Sequence, residues 1–477
     1  MSTSSKRFNR IIHSSNRRRR AGGDPAFKIS INTENAGSVT KTFVLPAVGG
    51  PFDVTDWGDG QSDLAVSGPQ THLYGATGIY TITINKITNA FQPCKFNNGG
   101  DKAKILDILS WGHINWDACN SAFYGCTNLI ISATDFPDVS NVTNFTGAWR
   151  NCTSLTSFPL IDFSSGTNFY TTWYGCTGLT SFPKIDTSSA TSLWYAWYGC
   201  TSLTSFELID VSSVVNMFGA WYNCSGLISF PRIIPSICTI FTSSWNGCTG
   251  LTSFPLIDVS AGTIFKNTWN GCTGLTIFPE LVPSSGLNFN GAWYGCTGLT
   301  SFPVIDVGAG TNFTNAWRIC TGLTAFPSGL DLSSATTLFT AWYGCTGLTS
   351  FPLLDVSNVT IFTFSWYGCT GLTSFPLLVT SAGADFKYTW QNCTGLNGYA
   401  FPTVNMHSMT NGTNCFNGVT LSTTSYSNLL IDIEANNQNN TVIFHGGSSK
   451  YSAGAAATAH ADLIADHSWT ISDGGLA

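Results

Sequence analysis

Cysteine is the first residue type in this chain that could do chemistry, because twelve of its 16 cysteines fall on one beat. Cys126, Cys152, Cys176, Cys200, Cys224, Cys248, Cys272, Cys296, Cys320, Cys345, Cys369 and Cys393 are separated by 26, then seven times 24, once 25 and twice 24 residues. Cys94, Cys119, Cys238 and Cys415 lie outside the beat. Chelation needs C-x-x-C or Cys/His clusters, and this spacing supplies neither. Stacked neighbours could approach bridging distance, yet a regular ladder obeys packing rather than disulfide torsions. The thiols are therefore expected to be buried, unbridged and apolar in role, with no metal and no cofactor.

Carboxylates follow the same beat at Asp162, Asp186, Asp210, Asp258, Asp306, Asp331 and Asp355, a ladder that precedes Ser- and Thr-rich turns. Asx caps on backbone N–H groups account for that placement. Calcium would need several oxygens converging from one turn, and glycoside hydrolysis needs two unlike carboxylates at one place. The seven histidines (His13, His72, His113, His407, His445, His460 and His467) all lie outside the beat, and their spacing suggests no pairing with a nucleophile. There is no Gly-rich phosphate loop opening a helix. No catalytic residue is expected.

Two residues before the cysteine stands Tyr124, Tyr174, Tyr198, Tyr222, Tyr294, Tyr343 or Tyr367, with Arg150, Arg318, Asn246, Asn270 or Gln391 in the other repeats. Such a mixture predicts an exposed stripe that could meet sugar rings or another protein, or tyrosines that merely close a turn. A second candidate is the N-terminal arm. Lys6, Arg7, Arg10, Arg17, Arg18, Arg19 and Arg20 are seven of the 20 basic residues, and the first twenty positions hold no acid. The remainder has 13 basic against 26 acidic residues, or -13, so contact with a polyanion falls to the arm. The arm reads as a docking element for an acidic partner surface, with nucleic acid the alternative.

The elements that must position these residues are repeats. Trp lies three before the cysteine in eleven repeats, from Trp149 to Trp390, with Phe123 in the first. Leu follows by three (Leu155, Leu179, Leu203) and Phe by six (Phe158, Phe182, Phe206), and a large apolar residue precedes by seven (Phe169, Leu193, Met217, Phe241). The i, i+4 pair Phe169 and Trp173 suggests one helical or 3₁₀ turn per repeat. Leu-Thr-Ser-Phe suggests a short strand, ended by Pro183 and its equivalents. A 24-residue repeat cannot bury its own core, whereas a stack can, and the period lies in the leucine-rich range. The chain of 477 residues, 43 % apolar but only 10 % charged, is then β-rich: a solenoid of about twelve leucine-rich-type repeats. No apolar run reaches the ~20 residues of a membrane span.

These repeats resemble the BspA-like leucine-rich-repeat surface proteins, most closely at Asp135 to Thr143 and Leu354 to Thr360, with Trp where that family usually has Phe. Ahead of them, Trp57-Gly58-Asp59-Gly60 followed by His72-Leu-Tyr74 and Gly78-Ile-Tyr80 is similar to the PKD-like β-sandwich. The expected organisation is a basic arm (1–25), a PKD-like sandwich (26–90), an N-terminal cap (91–125), the repeats (126–415) and a small α/β C-terminal cap (416–477). Within that cap, strands are expected over 428–445, a helix over 450–465 closing the stack, and a last strand near Trp469.

The family resemblance implies surface display. The arm contains no uninterrupted apolar run of the kind a secretory leader needs, so export by that route is not expected. The resulting expectation is a non-enzymatic virion protein of a phage: a fibre, spike or decoration. It would attach to other virion proteins by its arm, recognise a host-surface glycan or protein, and could form homo-oligomers. The alternatives are a bacterial cell-surface adhesin and, less favoured, a solenoid enzyme acting on polysaccharide.

Overall fold

The computed structural model describes residues 26–87, 91–402 and 404–477. The chain is β-rich with few helices and divides into two compact halves, meeting in sequence at Ile237 and Cys238.

The first half opens with strands β1 (Phe27–Asn32), β2 (Thr42–Leu45), β3 (Val48–Gly49), β4 (Phe52–Asp56), β5 (Asp63–Val66), β6 (Gln70–Leu73), β7 (Ile79–Lys86), β8 (Phe91–Gln92), β9 (Ile105–Ser110) and β10 (Ile130–Ile131). Alternation drives them: in β1, Phe27, Ile29 and Ile31 are buried while the residues between are half-buried. The main sheet has the order β10-β9-β1-β7-β4-β5, and β2 pairs with β6 and β3 with β8. The turn after β4 is an Asx turn in which Asp56 accepts from Gly58 N at 2.7 Å and Gly60 N at 3.3 Å. Around it Trp57 stacks on His72 at 4.7 Å, His72 meets Asp59 at 2.9 Å, and Tyr74 donates to the Trp57 carbonyl at 3.0 Å. The boundary expected at residue 90 falls inside this sheet, because β9 pairs with β1 and β10 with β9. From the sheet an aromatic path runs through Trp116 and Phe123 to Trp149, in steps of 6.0 and 6.3 Å.

The repeats join their neighbours by an alternating rule. Phe169, Thr171, Trp173 and Gly175 give their N–H groups to carbonyls of the next repeat (Ser192, Trp194, Ala196 and Tyr198) at 2.7–3.4 Å. Thr172, Tyr174 and Cys176 between them give theirs to the residue three back. This corrects the expected helical turn. The i, i+4 spacing belongs to a run of tight turns with a left-handed residue every fourth place, such as Thr171 (φ 51°) and Gly175 (φ 69°). A continuous helix cannot pass such residues. Glycine serves the last of these places, also at Gly199, Gly271 and Gly295, but Ile319 adopts it too at φ 59°. Two after the cysteine, where Ser154 and Ser202 stand in two repeats, Gly178 is closely approached by its neighbour: a Cβ there would lie 2.3 Å from the Thr153 carbonyl oxygen.

The expected strand after the cysteine exists but is minimal: β11 (Ser181–Phe182) pairs in parallel with β12 (Ser205–Phe206). Elsewhere it is a single bridge, as at Ser301 with Ala325 and Ser350 with Ser374. A second parallel bridge series runs eight before the cysteine, through Asn144, Asn168, Ser192 and Asn216 in the first half and Ile264, Asn288, Asn312 and Thr337 in the second. Between these lines lies the core. Trp149, Trp173, Trp197 and Trp221 stack in parallel at 5.0–6.1 Å. In the second half Trp269, Trp293, Trp317, Trp342 and Trp366 do so at 5.3–5.7 Å, with Phe rings set edge-on between them.

All sixteen cysteines are buried and none is in a disulfide. The Sγ of Cys200 donates to the Trp173 carbonyl at 3.2 Å, and that oxygen also accepts the Cys176 N–H at 3.2 Å. The arrangement recurs at Cys296, Cys320 and Cys345.

The C-terminal cap differs from expectation. Residues 428–445 are not strands throughout: helix α1 (Thr423–Asn436) occupies the first half of them, and only β13 (Ile443–His445) is a strand. Ser422 caps α1 by accepting from Ser425 N, and Tyr426, Leu429, Leu430 and Ile433 bury one face. Those apolar residues sit at helical spacing, which outweighs the β-favouring isoleucines. Helix α2 (Ala455–Ala465) packs on α1, and β14 (Thr470–Ser472) pairs in parallel with β13. β13 lies against the last repeat: Gly412 donates to Ile443 at 2.7 Å and Phe416 to His445 at 3.0 Å.

Candidate functional site

Six tyrosines of the stripe are held at both backbone groups, and Tyr124 is held at its carbonyl by Asn98 N–H at 2.9 Å. Tyr174 N–H bonds Thr171, and its carbonyl accepts from Asn151 of the preceding repeat at 2.7 Å; Tyr198 is held likewise by Tyr195 and Gly175. The side chains thereby repeat at close to the strand spacing, and the rings respond by stacking. Tyr174 lies on Tyr198 at 4.4 Å and 1°, Tyr198 on Tyr222 at 4.7 Å and 6°, and in the second half Tyr343 on Tyr367 at 4.7 Å and 8°. Arg150 enters the same stack between Tyr124 (4.9 Å) and Tyr174 (4.5 Å), as Arg318 does between Tyr294 (5.6 Å) and Tyr343 (4.4 Å).

All seven tyrosines are half-buried. Inside the stacks their faces are occupied by one another or by a guanidinium, so what they present outward is ring edges and hydroxyls. Burial and the neighbouring Tyr174 and Tyr222 push the Tyr198 phenol up, so it stays a neutral donor at ordinary pH. The stripe can hydrogen-bond a partner, but its interior rings offer no open face for a sugar to lie on.

Six of the seven ladder aspartates behave as caps, and the seventh, Asp306, stands exposed. Asp162, Asp186, Asp210, Asp258, Asp331 and Asp355 accept the N–H two residues on, at 2.9–3.1 Å. Two hydrogen bonds from Ser357, the backbone one foremost, hold the Asp355 carboxyl below its usual value. Spacing hid the histidine partners. His72 meets Asp59, His407 meets Asp432 at 3.0 Å and His460 meets Asp473 at 3.3 Å, with Tyr426 also donating to Asp473 at 2.7 Å. Burial lowers the His445 pKa. Among the described residues no three His, Cys, Asp or Glu side chains are grouped to hold a metal ion, and no helix is long and apolar enough to cross a membrane. The arm residues Lys6, Arg7, Arg10, Arg17, Arg18, Arg19 and Arg20 lie outside the described residues.

One feature escaped the reading of the cysteine beat. Six before the cysteine, three successive repeats carry Tyr170, Trp194 and Phe218, where Thr146, Lys266, Asn290 and Thr314 stand in others. Tyr170 is 37 % and Trp194 41 % exposed, and together with Asn168, Thr191 and Ser192 they line a shallow depression. The signal was present in the sequence as three successive aromatics at a place that eight of the twelve repeats fill with a polar residue, with Phe339 the one other aromatic there.

No protein-family model and no curated protein matches this chain. Among solved structures it is similar to the leucine-rich-repeat protein TLR13, in the crystal structure of a TLR13–ssRNA13 complex, at 12 % identity and a TM-score of 0.22. The match covers 73 % of this chain and 58 % of that one.

Proposed function

We propose that this chain is a non-enzymatic structural and adhesion protein in which a solenoid of BspA-like leucine-rich repeats, preceded by a PKD-like domain, displays a recognition surface. The observation that carries this reading is what the repeats present. Tyrosine edges recur at fixed spacing, while six of the seven ladder aspartates are spent on capping their own turns. Tyrosine in seven of the twelve repeats, with arginine or an amide in the rest, suits many weak contacts, which multiply when copies are displayed together. Turnover needs an acid and a base in unlike environments, and the ladder repeats one environment.

The proposed location is a phage particle, as fibre, spike or decoration, with the +7 arm docked on other virion proteins and the repeats facing a host glycan or protein. The charge contrast of arm against body supports that polarity. Purified virions should yield this chain in mass spectrometry, and deletion of residues 1–23 should leave a folded protein that no longer joins the particle. Recovery from washed cell envelopes instead would favour the adhesin reading, and normal incorporation of the truncated chain would remove the arm from the docking role.

A further inference from the structure

The aromatic shelf at Tyr170, Trp194 and Phe218 has no structural necessity. The same register place is Thr146 one repeat earlier and, in the second half, Lys266, Asn290, Thr314 and Lys387 beside a single aromatic, Phe339, so the fold tolerates polar residues there. Its rings also differ from those of every ladder. Trp194 makes 72° with Tyr170 at 5.4 Å and 60° with Phe218 at 5.6 Å, so neither lies flat on it. The ladder indoles, by contrast, are parallel and buried. Trp194 therefore carries indole surface that the fold leaves to solvent.

The floor beside it is opened by one substitution in the repeat pattern. Asn144, Asn168 and Asn216 occupy the place eight before the cysteine in the neighbouring repeats, and each side-chain oxygen accepts the N–H two residues on. In the Trp194 repeat that residue is Ser192, which makes the same bond at 3.4 Å with a side chain two heavy atoms shorter. The missing amide leaves the depression lined by Asn168, Tyr170, Thr191, Ser192 and Trp194. With its oxygen engaged by Tyr170 N, the Asn168 amide still has its NH₂ to donate, and the Ser192 hydroxyl still has its proton.

No lining residue is charged. An open aromatic plate beside a few neutral donors is the chemistry that takes a pyranose: its C–H face lies on the indole and its hydroxyls meet the amide and serine. An anionic ligand would lose hydration here without gaining a counter-charge.

We infer that the Trp194 shelf is a binding subsite for an uncharged oligosaccharide. This names the ligand class for the recognition proposed above and rests on that reading, while moving the stacking contact from the tyrosine stripe to Trp194.

The test is calorimetric titration of the full chain with cellohexaose, maltohexaose and chitohexaose, and with oligogalacturonate as the charged comparison. At least one uncharged hexasaccharide should bind in the roughly millimolar range or tighter. Trp194→Ala should weaken it about tenfold, Trp194→Phe should retain most of it, and both variants should keep the wild-type urea midpoint. Asn290→Ala, at the same register place in the second half, should leave saccharide affinity unchanged. Binding that Trp194→Ala does not weaken overturns the subsite, as does failure of every uncharged hexasaccharide to bind the wild type. Preference for oligogalacturonate that depends on Trp194 overturns the neutral-ligand assignment. Failure of the wild-type protein to adhere to any host cell overturns the recognition reading itself, whatever the saccharides do.

Discussion

Trp317→Ala measures directly how the repeats are held. The ring is fully buried, with Trp293 parallel at 5.4 Å on one side and Trp342 at 5.3 Å on the other, and Phe302 and Phe326 edge-on at 5.4 and 4.9 Å. A side chain of this size removes about 200 Å² from water on burial. At about 25 cal/mol per Å² that amounts to ~5 kcal/mol, an upper figure because the unfolded chain already covers part of the ring. The neighbours are fixed by the bonds between repeats, so they can close only part of the gap, and the expected loss is about 4 kcal/mol. Urea unfolding followed in parallel by far-UV circular dichroism and tryptophan fluorescence reads it. Trp317→Phe should cost about 1–2 kcal/mol, because a phenyl ring already takes the same stacking place at Phe123 and Phe416. The double variant Trp293→Ala/Trp317→Ala should cost less than the sum of the singles, since both open one cavity. A loss under about 1 kcal/mol for Trp317→Ala would place the change among surface substitutions and refute the packed ladder.

Three further outcomes follow from the same contacts. Burial pushes the thiols of Cys176, Cys272 and Cys345 up to about 12, against ~8.5 in an unfolded chain. Below the lower value both states hold the proton and stability is complete; between the two, only the unfolded chain releases it. The urea midpoint in reductant should therefore fall as pH rises past ~8.5, by about 1.4 kcal/mol per pH unit for each such thiol, and a flat profile to pH ~10.5 would show the thiols are solvated. Ile319→Gly should raise stability by about 1 kcal/mol, because a β-branched residue is strained at φ 59° where other repeats use glycine; a fall in the urea midpoint would mean the side chain contributes more by packing than the strain costs. Ser422→Ala should cost about 1 kcal/mol by removing the α1 cap, and no change by circular dichroism melting would show that α1 is held by packing alone.

The repeat core was legible because burial imposes one residue type per place: Trp, Leu, Phe and Cys recur where Trp173, Leu179, Phe182 and Cys176 are all enclosed. The backbone that carries them was not. An i, i+4 spacing fits both a helix and a run of turns with a left-handed residue every fourth place. Thr171, Tyr195 and Ile319 hold such places without being glycine, so the sequence carried no warning. Helix α1 was hidden by isoleucines that favour strands in isolation, until Ser422 and the burial of Tyr426, Leu429, Leu430 and Ile433 settle the matter by tertiary packing. The functional surface divides along the same line. Counting at the cysteine beat finds the tyrosine stripe, because its regularity is a product of the stacking that also closes its faces. A ligand-facing ring has the opposite signature. Trp194 stands in a run of three aromatics at a register place that eight of the twelve repeats fill with a polar residue, and Ser192 shortens the residue beside it. In a chain whose repeats are built to be equivalent, positions that break equivalence without being needed for packing are where recognition of a particular molecule can reside, since an interaction repeated in every turn distinguishes no one site from the next.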